Sequence, residues 1–458
     1  MIRSISGVRG VVGQDVDAAT VFRYTQAFAE LQTPGPVLLA RDSRPHGERL
    51  MNAAAQALRQ VGRKVILADL APTPTAQFIT PRKHLAGAIV LTASHNPVDY
   101  NGLKFIGHDG CFLNEQQVTE LFSRADGIEA PSEMPIRRVR SRLSLDAVGL
   151  HLLDTLNLSC ISVDAILRKR FKVVVDAVNG AASHALPTLL EALGCEVVTL
   201  HTTPDGTFPR GPEPLAEHLS DLRQAVVDQG ADLGLATDPD ADRLALVDET
   251  GMAPGEELTQ VLAVDGFLRR TSSRSPVVTN LSSSLLLEHV AQRYGVEVQR
   301  SPVGEVHVVD LMRTLGSEIG GEGNGGVILA ESHLGRDSLV AAALILDRLA
   351  QEEASLSTIL SQLPEYYLIK DKIAVDGYDS EEVSRRMTER FPDAEPITLD
   401  GLKLLWSDRW VLIRKSNTEP IIRLFAEAAS EAGALELIRN VREIIGATES
   451  GHASGSIS

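Results

Sequence analysis

Apolar and polar positions follow two alternating periods along most of the chain. PVLLA, KVILADL and AGAIVLTAS are apolar runs of strand length, and GERLMNAAAQALRQVG between the first two carries its apolar residues at helical spacing. The plan recurs. FKVVVDAV, CEVVTLH and ADLGLATD read as strands with HALPTLLEALG as a helix. Later PVVTNL, VEVQRSPV and EIGGEGNGG accompany the helical SLLLEHVAQRYG. Each unit closes its first helix with a glycine and places a valine three residues on: Gly62 and Val65, Gly194 and Val197, Gly295 and Val298. Glycine suits a left-handed residue after a helix. Three such coincidences predict three α/β domains of one topology.

After about Tyr367 the pattern changes. KIAVD, KLLWSD and RWVLIRK are short strands, SEEVSRRMTERF and ALELIRNVREIIG are helices, and their order predicts a smaller α+β domain. The expected organisation is therefore α/β, with three similar domains of mixed sheet (1–148, 149–252 and 253–366), an α+β domain (367–446) and a Gly/Ser-rich tail (447–458), arranged around a central cleft. A chain of 458 residues is long enough for several cores.

Composition narrows the partners. With 44 basic and 61 acidic residues the net charge is −17, a field that repels nucleic acid and anionic membranes. The longest apolar run, Leu339 to Leu346, stops at Asp347, far short of the ~20 residues that span a bilayer. MIRSISGVRG has no apolar stretch of the kind a secretory signal needs. Cys111, Cys160 and Cys195 are scattered, which fits a reduced, cytoplasmic protein better than a disulfide scaffold.

The chemistry gathers near the third strand of each unit, where open α/β sheets bind ligands. DPDADR carries Asp238, Asp240 and Asp242 at alternate positions, so an extended backbone turns the three carboxylates to one side. They would repel without a hard cation such as Mg²⁺ or Ca²⁺ between them. An EF-hand matches Asp238, Asp240, Asp242 and Glu249 but fails at Arg243, where its turn glycine belongs. A solvated acidic turn is the plainer alternative. In TASHNP, Ser94 stands beside His95, yet neighbouring side chains on an extended chain point apart, so His95 is poorly placed as its base. Ser94 can instead carry a phosphoryl group. GGEGNGG offers close backbone approach, with Glu322 and Asn324 able to bond sugar hydroxyls; a strand-end bulge is the alternative. RKSNTEP and the following arginine, Arg423, collect groups that grip a phosphate, or else form an exposed turn.

TASHNP with YNGLKF, DPDADR, GEGNGG and RKSNTEP, in this order between about Ser6 and Gly446, resemble the α-D-phosphohexomutase superfamily. ARDSR, PTP at Pro72 to Pro74 and PDGTFP at Pro204 to Pro209 are secondary matches. The resemblance implies that Ser94 is a phosphoserine and, with Asp238, Asp240 and Asp242, a ligand of one Mg²⁺. It implies catalytic roles for Lys104, Arg243, His95 and Arg9, and sugar contacts for Glu322 and Asn324. Arg414, Ser416, Asn417, Thr418 and Arg423 would clamp the phosphate that is not reacting. Where family members carry a lysine or arginine shortly after a Val-Gly of the third domain, this chain has His307, a candidate replacement or an ordinary surface histidine. Asn324 stands for a common serine and Ser338 for the glycine of an RDG motif, differences that bear on sugar preference. The implied reaction exchanges phosphate between C1 and C6 of a hexose through a 1,6-bisphosphate. The GEGNGG form is similar to an archaeal-type branch of phosphoglucosamine mutases, so glucosamine phosphate is the expected substrate, with mannose and glucose phosphates as alternatives. A metal-dependent phosphatase and a non-catalytic sugar-phosphate sensor are the readings of other classes.

Overall fold

In the computed structural model, which describes residues 1–131, 145–374, 379–415 and 421–453, three successive segments form sheets with the same strand order. Val37–Arg41 lies parallel between Val65–Leu70 and Gly87–Leu91, and Tyr100–Gly107 returns antiparallel beside Gly87–Leu91. Lys172–Asp176, Glu196–Leu200, Leu233–Thr237 and Leu244–Asp248 repeat that arrangement. Val277–Asn280, Val298–Ser301, Ile319–Glu322 and Gly326–Leu329 repeat it again. The first sheet is widened by the hairpin of Ile2–Ser4 and Gly7–Val11.

The glycine repeat marks one local structure used three times. Gly62, Gly194 and Gly295 have φ of +76°, +79° and +67°. After each, the next amide reaches back to the last helical turn: Arg63 to Leu58, Cys195 to Leu190 and Val296 to Ala291, at 2.8, 3.0 and 3.1 Å. These are Schellman closures, in which a left-handed residue lets the chain reverse and satisfy orphan carbonyls. Each sends the chain directly into the second strand of its sheet.

One continuous core joins the second and third units. Its centre includes the helix Ser338–Ala350, whose run Leu339 to Leu346 is buried throughout. A helix apolar on every side belongs inside a protein. No helix among the described residues is long and apolar enough to cross a membrane. At the start of this helix Asp337 Oδ1 accepts from the amides of Leu339 and Val340. Its Oδ2 lies 3.0 Å from His333 Nε2 and 2.8 Å from His151 Nε2. His151 Nδ1 in turn lies 3.0 Å from Thr75 Oγ1, so one carboxylate ties all three units together.

The C-terminal sheet has five strands, Tyr367–Ala374, Ile421–Ala428, Arg409–Lys415, Leu402–Leu405 and Glu395–Ile397, in that spatial order. The strand Ile421–Ala428 escapes an apolar-run reading because it serves two faces. Ile422, Leu424 and Ala426 enter the core, while Arg423 and Phe425 face the cleft. The final helix, Glu431–Ala453, continues beyond residue 446, where the sequence reading began a Gly/Ser-rich tail. The Ala-Thr-Glu-Ser stretch that follows Gly446 contains no proline to stop it.

Candidate active site

Each distinctive loop links the third strand of its sheet to the antiparallel strand that follows. TASHNP lies between Gly87–Leu91 and Tyr100–Gly107, DPDADR between Leu233–Thr237 and Leu244–Asp248, and the tip of GEGNGG between Ile319–Glu322 and Gly326–Leu329. Such a tip is fixed at both ends by ladder hydrogen bonds.

Arg44, from the ARDSR motif, fixes the serine loop. It is 1% exposed, pairs with Asp42 at 3.0 Å and donates to the carbonyls of Ser94 (2.7 Å), Asn96 (2.6 Å), Pro97 and Tyr100 (3.0 Å). Its guanidinium also covers the ring of Phe208, from PDGTFP in the second unit, at 4.9 Å. Ser94 is held at φ +48°, in the left-handed region that L-residues seldom adopt, and its Oγ donates to Asp238 Oδ2 at 3.2 Å. Arg9 reaches the same loop, donating to Asn96 Oδ1 at 3.0 Å.

Asp238, Asp240 and Asp242 are fully buried, and their ligand atoms lie within 4.8 Å of one another. Lys104 donates to Asp240 Oδ2 at 2.6 Å and Asp242 Oδ2 at 3.0 Å. Thr73, from the PTP motif, donates to Asp240 Oδ2 at 2.6 Å. Burial works to lower the Lys104 pKa, but Asp240 and Asp242 outweigh it and hold the ammonium above its usual range. Lys104 is thus held as an ammonium between the two carboxylates. Burial, then Asp242 and Asp240, push the Asp238 carboxyl well above the ordinary carboxylate range. Asp240 Oδ1 and Asp242 Oδ1 are buried without a hydrogen-bond partner among the described residues. An excess of buried carboxylate with orphaned oxygens is the donor set of a hard divalent cation, so the cluster can hold one.

Asparagine at 238 offers a test. Its amide oxygen can accept from the amides of Asp242 and Arg243, as Asp238 Oδ1 does at 3.1 and 3.3 Å, and its NH₂ can donate to Ser94 Oγ. Asp238→Asn is expected to leave metal-free stability within about 1 kcal/mol of wild type while removing activity. Urea unfolding in chelator, set beside a turnover assay, checks both halves.

Arg243 stands over this cluster. It donates to Glu213 Oε1 at 3.0 Å and lies 3.4 Å from His95 Nδ1. Burial and the neighbouring Arg243 and Arg9 push His95 down to about 2, so the ring is neutral and accepts from Arg243. Ser94 and His95 thus have different partners, as their adjacency implied.

On the third loop, Glu322 Oε1 accepts from Asn280 Nδ2 at 2.8 Å and the Gly304 amide at 2.9 Å. Its Oε2 accepts from Arg336 Nη1 at 2.8 Å. Arg336 also contacts Glu305 at 3.0 Å and Asp242 at 2.6 Å, bridging the GEGNGG loop and the acidic loop. Asn324 lines the cleft, and its buried Oδ1 has no partner among the described residues, a vacancy suited to a hydroxyl donor. Gly325 is required by close approach: a Cβ there would lie 2.4 Å from Leu244 O. His307 is half-buried in the first turn of Glu305–Leu315 and is not among the described residues that line the cleft.

The fourth wall carries cations in register. Arg423 pairs across the sheet with Lys372 on one side and Arg414 on the other, and all three line the cleft. Like charges on adjacent strands destabilise a sheet unless an anion lies over them. Lys372 was not singled out from sequence; only strand register brings it to the arginines. Arg414 is held at 3.0 Å by Asp400, which also accepts from the Val303 amide. Ser416, Asn417 and Thr418 lie outside the described residues. Arg423→Ala is expected to raise KM about 10- to 100-fold with a smaller change in kcat, the effect of losing a charge-assisted phosphate contact. Steady-state kinetics checks it, and an unchanged KM removes Arg423 from the clamp.

Together the loops and this wall enclose a cleft of about 570 Å³. The chain matches the family described as phosphoglucomutase/phosphomannomutase: α/β/α domain I over residues 2–131, domain II over 151–251, domain III over 254–367 and the C-terminal domain over 373–444. It is 37% identical over 443 residues to a phosphoglucomutase/phosphomannomutase of Thermococcus kodakarensis, covering 94% of this chain and 95% of the relative. It is 32% identical over 451 residues to a phosphoglucosamine/phosphogalactosamine mutase of Sulfurisphaera tokodaii, covering 96% and 98%. The crystal structure of a phosphoglucomutase/phosphomannomutase family protein from Burkholderia thailandensis superposes with a TM-score of 0.82 at 28% identity, over 98% of this chain and 99% of that one. Matched across all four domains of that family, the chain belongs to the phosphoglucomutase/phosphomannomutase family and is a phosphohexomutase.

Proposed function

We propose that the enzyme interconverts glucosamine 6-phosphate and glucosamine 1-phosphate through a phosphoserine at Ser94 and a bisphosphorylated sugar. The observation that carries this reading is Ser94 Oγ at 3.2 Å from Asp238 Oδ2, beside a cleft lined by His95 of the same loop and by Lys372, Arg414 and Arg423. A nucleophile and an anion clamp on one cleft suit a substrate with a phosphate at one end and a hydroxyl at the other. Relatives named for glucosamine include the Sulfurisphaera enzyme, named also for galactosamine, and a probable phosphoglucosamine mutase of Methanopyrus kandleri, 34% identical over 438 residues. The Thermococcus name supplies the alternative, a phosphomannomutase/phosphoglucomutase.

In this mechanism Arg414 and Arg423 hold the unreactive phosphate while Glu322 and Asn324 orient the ring hydroxyls. The sugar hydroxyl attacks the phosphorus on Ser94; the bond to Oγ breaks, one to the sugar oxygen forms, and the hydroxyl proton is matched by the proton Ser94 regains. The 1,6-bisphosphate turns end for end, and its other phosphate returns to Ser94 by the reverse step. Arg243 steadies the moving phosphoryl group, and Lys104 offsets negative charge between Asp240 and Asp242. A Mg²⁺ held by Asp238, Asp240, Asp242 and the Ser94 phosphate would neutralise charge on the transferring group. His95 and Arg9 act on the loop, the first by accepting from Arg243 and the second by bonding Asn96.

The test is a Mg²⁺-dependent mutase assay primed with a hexose 1,6-bisphosphate, ranking glucosamine, mannose and glucose 1-phosphates by kcat/KM. Glucosamine leading supports the proposal, and either neutral sugar leading replaces it with the alternative. Absence of turnover with ligand binding intact would identify a sensor.

A further inference from the structure

One corner of the cleft gathers carboxyl groups, although the substrate is anionic. Glu256 and Glu257, at the start of the helix Glu257–Thr271, both line the cleft beside the GEGNGG loop. The Glu257 carboxylate is set against Gly323: a Cβ on that glycine would meet Oε2 at 1.9 Å and Oε1 at 2.6 Å. It thus rests on the backbone between Glu322 and Asn324.

Glu257 Oε2 accepts from the Ser284 amide at 3.2 Å. Lys370 Nζ stands 3.9 Å from its Oε1 and is bonded instead to Glu256 Oε1. Glu256 Oε2 is buried with no hydrogen-bond partner among the described residues. Burial pushes the Glu257 carboxyl up to about 8; Lys370 opposes the shift, while Glu256 and Glu427 add to it. The corner therefore holds two carboxyl groups against one ammonium; that ammonium is bonded to Glu256, so Glu257 rests protonated for want of a counter-charge.

A carboxylate in the first turn of a helix is favourable in itself. That accounts for an acid at this position, but not for its contact with the GEGNGG loop or for its having no cation within hydrogen-bond distance among the described residues. A phosphate or a neutral hydroxyl leaves that carboxyl group without a counter-charge. An ammonium on the sugar ring supplies one and favours its ionisation.

We propose that Glu257, with Glu256 beside it, is the subsite for the 2-amino group of an amino-hexose phosphate and sets the preference for that sugar over its 2-hydroxyl analogues. The proposal deepens the glucosamine reading and rests on it for the substrate. Because the bisphosphate turns end for end, C2 faces opposite sides of the cleft in the two half-reactions. The amine meets Glu257 in only one of them.

The experiment measures Kd by calorimetry with the full chain in Mg²⁺, for the 1- and 6-phosphates of glucosamine and of glucose. Wild type is compared with Glu257→Gln and Glu257→Asp. In the phosphate series that presents the amine, the advantage of glucosamine over glucose is expected to fall about tenfold or more in Glu257→Gln, the loss of a charged hydrogen bond. Glu257→Asp should recover part of it, and Glu256→Gln supplies a second reading should Glu257→Gln fail to fold. An advantage altered less than about twofold in both series overturns the subsite. Turnover of glucosamine phosphates by wild type is followed separately. Turnover present with the advantage unmoved sinks the subsite and spares the function, whereas turnover absent with the advantage lost in the variant does the reverse.

Discussion

Ser94→Ala and Ser94→Gly are both expected to lose mutase turnover by about 10⁴-fold or more, the scale set by removing the nucleophile from a unit that works together. Their stabilities should diverge. Ser94 sits at φ +48°, where an L-residue costs roughly 1 kcal/mol that glycine avoids. Each variant also removes the hydroxyl bonded to Asp238, a similar loss in both. Glycine should therefore be about 1 kcal/mol more stable than alanine in urea unfolding, with neither active. Activity rising with stability across the pair would mean that the serine shapes the loop and does not carry the phosphoryl group.

Arg336→Met should damage the enzyme in another way. The guanidinium reaches Asp242, Glu305 and Glu322 at 2.6, 3.0 and 2.8 Å, and all three carboxylates are buried. Methionine keeps an unbranched apolar stem but leaves those charges without their shared partner, at an expected cost of about 3–5 kcal/mol. Arg336→Lys keeps the charge but cannot span three acceptors with a fork, so it should recover only part of the loss. Because Arg336 links the acidic loop to the GEGNGG loop, both kcat and KM should worsen in the lysine variant. Urea unfolding together with kinetics is the measurement. A methionine variant as stable as wild type would show that these carboxylates find other partners.

The loops were legible because their chemistry restricts residue type: alternating aspartates, a serine in a turn, a glycine run around an acid. The three sheets were legible because apolar period and closing glycines repeat. What escaped notice are the contacts between units. ARDSR, PTP and PDGTFP are visible as motifs, yet that Arg44 ties down the carbonyls around Ser94, that Thr73 bonds Asp240 and that Phe208 lies beneath Arg44 emerges only when distant segments meet. Lys372 and Glu257 were missed for the same reason. Each is an ordinary charged residue on an ordinary element until register or packing gives it neighbours.

The shared strand order has a historical consequence. Three sheets that share one order over four strands, each with the same helix closure, are the pattern left by duplicating an ancestral segment and letting the copies diverge. The labour was then divided so that no copy retains a reaction of its own. One holds the serine, another the acidic cluster and the third the GEGNGG loop, and a single domain cut from the chain would inherit only a fragment of the chemistry.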